Sequence, residues 1–134
     1  MAGVRVAKER RKIRRVTELQ VYRQGMDAAM LVMEVSKKFP VEERYSLSDQ
    51  VRRSSRSVCA NLAEAWGKRI YRAAFISKIN DAEAEALETQ MWIEISVRCN
   101  YLDRDTAIKL YESYNEIISM LVAMRVRPEK WLIT

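Results

Sequence analysis

The chain contains no histidine, and that absence removes more chemistry than any other feature. It leaves no imidazole to ligate haem and no Glu-x-x-His pair for a carboxylate-bridged di-iron bundle. It also rules out the Arg-and-His motif of helical-bundle RNases and any Ser-His or Cys-His nucleophile pair. Cysteine is nearly as scarce, with Cys59 and Cys99 alone. Two thiols without histidine cannot build an ordinary zinc site, which takes four protein ligands or three and a water. Both fall in helical patterns and are expected to be reduced packing residues. Three glycines and two prolines leave few turn-formers, which favours helices over strands. No run of about 18 uncharged apolar residues spans a membrane, and the basic N-terminal stretch lacks the apolar core of a signal peptide. A cytoplasmic location without cofactors is the simplest expectation.

What the chain does have is charge, unevenly placed. Seven of its 24 basic residues and one of its 18 acidic ones lie in residues 1–16, which leaves 17 of each for the remainder. The net charge of +6 therefore belongs to Arg5, Lys8, Arg10, Arg11, Lys12, Arg14 and Arg15. Such a tail reads either as a phosphate-binding arm with steep salt dependence or as a solubilising arm. Its Val4, Val6, Ile13 and Val16 offer little apolar surface to a membrane.

The other residues suit one all-α domain of 134 residues: a basic tail over 1–16, an antiparallel up-down-up-down four-helix bundle over 17–127 and a C-terminal tail over 128–134. The first helix is predicted over 17–38, ended by Phe39-Pro40. It has one stripe of Leu19, Tyr22, Met26, Met30 and Met33 and an opposite one of Val21, Ala28, Val32 and Val35. The second starts after Ser46, which forms an approximate capping box with Asp49. It buries Leu47, Val51, Val58, Leu62 and Ala65, admits close approach at Ser54, and stops near Gly67. The third runs over 72–100 with Phe75, Ile79, Ala82, Ala86, Ile93 and Val97 on one side and Ile76, Ala84, Leu87, Met91 and Ile95 on another. A helix apolar on two sides must be covered on two sides, and a bundle of four helices leaves the second cover to another subunit. The fourth, from Asp103 or Asp105 to about Arg125, is expected to bury Ile108, Tyr111, Tyr114, Ile118, Leu121 and Val122. Trp131-Leu132-Ile133 forms an apolar tag suited to dock on the bundle.

Carboxylates are the remaining route to catalysis. Glu85-x-x-Glu88 resembles half of a Mg²⁺-binding pattern from all-helical nucleotide pyrophosphatases. The best facing partner, Glu112 followed by Asn115, is short of charge for such a cluster. Asp81, Glu85 and Glu88 are therefore expected to form a solvated strip or to ion-pair with basic residues on a neighbouring helix, Asn61 to hydrogen-bond across an interface, and Glu64 to pair with an arginine. Arg52, Arg53 and Arg56 lie off the inner stripe of the second helix, where they serve either phosphate contacts or intersubunit ion pairs.

The stretches VYRQGMDAAMLVMEVSKKFPVEERYSLSDQVRRSSRSVCANLAEAWGKR and FISKINDAEAEALETQMWIEI resemble a four-helix-bundle family first found in intervening sequences of bacterial 23S rRNA genes. A more distant similarity is to the accessory variability proteins of diversity-generating retroelements. Matching positions include Phe39, Pro40, Glu43, Tyr45, Leu47, Gln50, Arg52, Arg53, Asn61, Glu64, Glu88, Thr89 and Gln90. Cys59 and Ala65 stand where the family often has proline and glycine. The resemblance implies a homopentamer without enzymatic activity. Through its retroelement relatives it also implies association with RNA or DNA and with a reverse transcriptase. A protein-binding adaptor that never touches nucleic acid is the alternative, and a Mg²⁺-dependent nucleotide hydrolase a further one.

Overall fold

The computed structural model describes residues 13–133, which hold four α-helices: α1 Gln20–Ser36, α2 Leu47–Gly67, α3 Arg72–Arg98 and α4 Arg104–Val126. Each packs on its sequence neighbours, and α1 closes the bundle against α4. The pairings fix the directions. Arg52 bonds Ser36 while Gly25 abuts Cys59, Ser54 meets Thr89 while Glu64 meets Lys78, and Gln90 bonds Asn115 while Glu83 meets Arg125. Each pair runs antiparallel, as in an up-down-up-down bundle.

Helix ends follow local chemistry. Asp103 caps α4, its carboxylate accepting from the Thr106 N–H at 2.9 Å. That bond holds the Asp103 carboxyl below its usual range. Asn100 stops α3 in the left-handed conformation (φ 61°), with Tyr101 N–H reaching the Ser96 carbonyl and Asn100 N–H the Val97 carbonyl, a Schellman closure. The expected capping box at Ser46 does not form. Its side chain makes no cap bond, and Glu43 accepts from the Leu47 N–H instead, at 3.3 Å. Gly67 is the last helical residue of α2, as expected, and Lys68 caps it.

The core contains Val21, Ala28 and Val32 from α1, the full expected stripe of α2, Phe75, Ile79, Ala82, Ala86 and Ile93 from α3, and Leu110, Tyr114, Ile117 and Leu121 from α4. Each large aliphatic side chain so placed contributes about 1.5–3 kcal/mol. Helix phase is decided on α1, where either stripe could face the core, and changed on α4. On α1 the valine–alanine stripe faces inward and Met26 and Met30 face out. On α4 the inner line is Ala107, Leu110, Tyr114, Ile117, Leu121 and Met124, leaving Ile108 and Tyr111 exposed. Both helices are apolar around more than one side, so period alone does not set which side packs.

Gly25 marks the tightest α1–α2 approach, where an added Cβ would sit 3.2 Å from Cys59 Sγ. Both cysteines are free, but only Cys59 is a packing residue; Cys99 lies exposed just past α3. Burial pushes the Cys59 thiol from 9.0 up to about 11. The folded chain thus holds that proton more tightly than the unfolded chain. The contribution is complete below about pH 9 and is lost as pH rises toward 11. A native thiol titration is expected to modify Cys99 at once and Cys59 only in denaturant. Rapid modification of both in native buffer would contradict this packing.

Candidate nucleic-acid interface

The arginines of α2 face three different surroundings. Arg52 Nε donates to Ser36 Oγ at 2.6 Å, fastening α2 to the end of α1. Arg53 lies 3.8 Å from Glu88 on α3, an exposed pair worth under about 1 kcal/mol. Arg56 leans over Met33, its Nη2 3.5 Å from Sδ. With Arg44 and Asp49 they border a shallow groove.

The carboxylates settle into structural contacts. Glu64 pairs with Lys78 at 2.7 Å, not with an arginine, and this holds its carboxyl below the usual range. Asn61 donates to the Ser57 carbonyl of its own helix rather than across an interface. Glu88 accepts from Trp92 Nε1 at 3.0 Å, and Asp81 lies 3.7 Å from Lys78 on its own helix. Glu85 has one buried oxygen with no hydrogen-bond partner among the described residues, and burial, then Glu88, raise its pKa. Glu85 and Glu88 border α2, whereas Asn115 turns to Gln90 between α3 and α4. The two halves of the supposed Mg²⁺ pattern are not brought together. Among the described residues no group of three or more Cys, Asp or Glu is placed to hold a metal ion.

The family-matched Thr89 and Gln90 pin α3 to both neighbours. Thr89 Oγ1 lies 2.8 Å from Ser54 Oγ, and Gln90 Nε2 donates to Asn115 Oδ1 at 2.8 Å and to the Tyr111 carbonyl at 3.2 Å. Gln50 is half-buried in the first turn of α2. Leu87 and Met91 of α3 and Tyr111 and Ile108 of α4 are all exposed (Leu87 by 56 %, Ile108 by 47 %).

Arg5, Lys8, Arg10, Arg11 and Lys12 lie outside the described residues. Arg14 and Arg15 are described and lie against the bundle: Ile13 and Val16 pack on the core, and the Trp66 indole donates to the Arg14 carbonyl at 3.0 Å. Sequence reasoning missed what surrounds them. The α2–α3 turn reads Lys68-Arg69-Ile70-Tyr71-Arg72, and Arg69 stacks on Trp66 at 3.8 Å. Trp66 in turn packs on Trp131, ring centroids 6.2 Å apart, beneath Lys130. Basic residues interleaved with aromatics over 66–72 were the local signal. The remaining members come from more than 50 residues away.

Fold and site define an antiparallel four-helix bundle with outward apolar faces and one strongly basic end. Among the described residues no helix is long and apolar enough to cross a membrane. The chain belongs to the 23S rRNA-intervening sequence protein family, whose model matches residues 17–123. It is similar to the solved structure of a protein of unknown function from the S23 ribosomal protein family of Bacteroides thetaiotaomicron. The two share 30% identity and a TM-score of 0.72 over 79% of this chain and 95% of that one. No curated protein matches it.

Proposed function

We propose that this protein is a non-enzymatic scaffold that assembles with copies of itself and binds nucleic acid. The outward apolar surface carries the reading: Leu87, Met91, Ile108 and Tyr111 across α3 and α4, with Met26 and Met30 on α1. Exposed apolar patches rimmed by polar residues mark interaction surfaces. Two unlike faces on one subunit suit a head-to-tail contact that closes into a ring, and the resemblance to pentameric relatives sets its expected size. Polyanion binding rests on the basic residues of 1–16, which would release counterions from phosphates.

Leu87→Glu combined with Tyr111→Glu is expected to give helical monomers by sedimentation velocity and circular dichroism. A wild-type protein that sediments as a monomer would end the assembly reading. Removing residues 1–12, which spares the packed Ile13 and Val16, is expected to weaken binding to structured RNA and flatten its salt dependence. Unchanged affinity and slope would remove the tail from the interface. A wild type that captures a reverse transcriptase but no RNA or DNA would favour the adaptor.

A further inference from the structure

The charges of the body balance in the sequence but not in space. At the end of the bundle where α1 begins, α2 turns into α3 and α4 finishes, cations gather from three parts of the chain. Arg14 and Arg15 come from the N-terminal segment, Lys68 from the α2–α3 turn, and Arg127 and Lys130 from the C-terminal segment. The Trp66–Trp131 contact, the Trp66–Arg14 bond and the bond from Ile133 N–H to the Arg69 carbonyl (3.1 Å) hold these parts together. Among the described residues none of those five cations is in an ion pair. Arg72 spends its charge on Glu129 at 3.0 Å, which fastens the turn to the C-terminal segment.

At this end lies a cleft of about 470 Å³ with an apolar lining that includes Ile13, Leu19, Met120, Met124 and Trp131. Arg127 and Lys130 line it as well. On the same end Tyr71 stands out from the turn, 66 % exposed, beside an equally exposed Ile70. A purely electrostatic surface for duplex backbones needs neither an apolar cleft nor a protruding aromatic. An unpaired strand uses both, because its phosphates follow cations while its free bases stack on aromatic rings or enter apolar recesses.

We infer that this end of the bundle is a binding surface for single-stranded nucleic acid, with phosphates on Lys68, Arg127 and Lys130 and bases on Tyr71 and in the Trp131 cleft. It rests on the nucleic-acid reading above and assigns that reading to a place other than the α2 arginines.

The test uses the full chain and fluorescence anisotropy with labelled oligouridylate, oligothymidylate and a blunt DNA duplex across a salt series. Combined Lys68→Ala, Arg127→Ala and Lys130→Ala is expected to weaken both single strands at least about tenfold. The same variant should lower the log–log salt slope by about 2, at about 0.7 per lost single-strand phosphate contact. Tyr71→Ala is expected to cost about tenfold on single strands and little on the duplex. Oligouridylate and oligothymidylate responding alike marks the strand chemistry they share; one bound and the other ignored assigns the surface to RNA or to DNA. If wild type binds but the triple variant and Tyr71→Ala bind equally well, while Arg52→Ala/Arg53→Ala/Arg56→Ala does not, the site is misplaced and the broader reading survives. Wild-type preference for the duplex also overturns the inference. No binding of any probe ends both.

Discussion

Replacing Ser54 by leucine is expected to cost about 3 kcal/mol of unfolding free energy, at the top of the usual overpacking range. Ser54 is fully buried where α2 crosses α3, with its hydroxyl 2.8 Å from Thr89 Oγ1. A leucine has no room between the two backbones, and it removes the hydroxyl that Thr89 faces. Ser54→Ala keeps the space and loses only the polar contact, about 1 kcal/mol. Urea denaturation at fixed protein concentration reads both, as a shifted midpoint with unchanged slope. A leucine variant as stable as wild type would mean that the helices are not this close.

Tyr114 gives the second large effect and a sign reversal. Its ring is fully buried at the centre of α4, so Tyr114→Ala is expected to cost about 4 kcal/mol through lost burial and a cavity. Its hydroxyl has no hydrogen-bond partner among the described residues. The Ser55 hydroxyl beside it donates to the Arg52 carbonyl at 3.0 Å. Burial drives the phenol's pKa strongly upward. Tyr114→Phe removes an unsatisfied buried group and is expected to leave stability unchanged or raise it by up to about 1 kcal/mol. A loss greater than about 1 kcal/mol would show that the hydroxyl is bonded in solution.

The helices were legible because their boundaries are written locally. Pro40 limits α1, Asp103 opens α4, and α2 carries a single clean stripe. Phase was not legible on α1 and α4, since methionines, tyrosines and isoleucines circle more than one side and only the neighbours choose among them. Ser46 misled because its backbone (φ −129°, ψ −106°) departs from ordinary cap geometry and Glu43 reaches the vacant N–H. The partners of Arg53, Glu64 and Asn61 depend on rotamers and on which helix lies alongside. The basic end was hidden for a different reason. A neutral total over residues 17–134 says nothing about segregation, and the α2–α3 turn and the C-terminal segment come to one end only once two tryptophans far apart in sequence have packed.

That packing also brings residues 14 and 133 to one end of the bundle. Both are held to a short span at the end of α2 and the turn after it, one by the Trp66 indole and the other by the Arg69 carbonyl. A short peptide could join residue 14 to residue 133, with the chain reopened at the Asn100 turn on the opposite end, and every helix would keep its partners. A domain joined directly before residue 14 or after residue 133 is delivered to the same cationic end, whereas one inserted at Asn100 is carried a whole bundle length away from it.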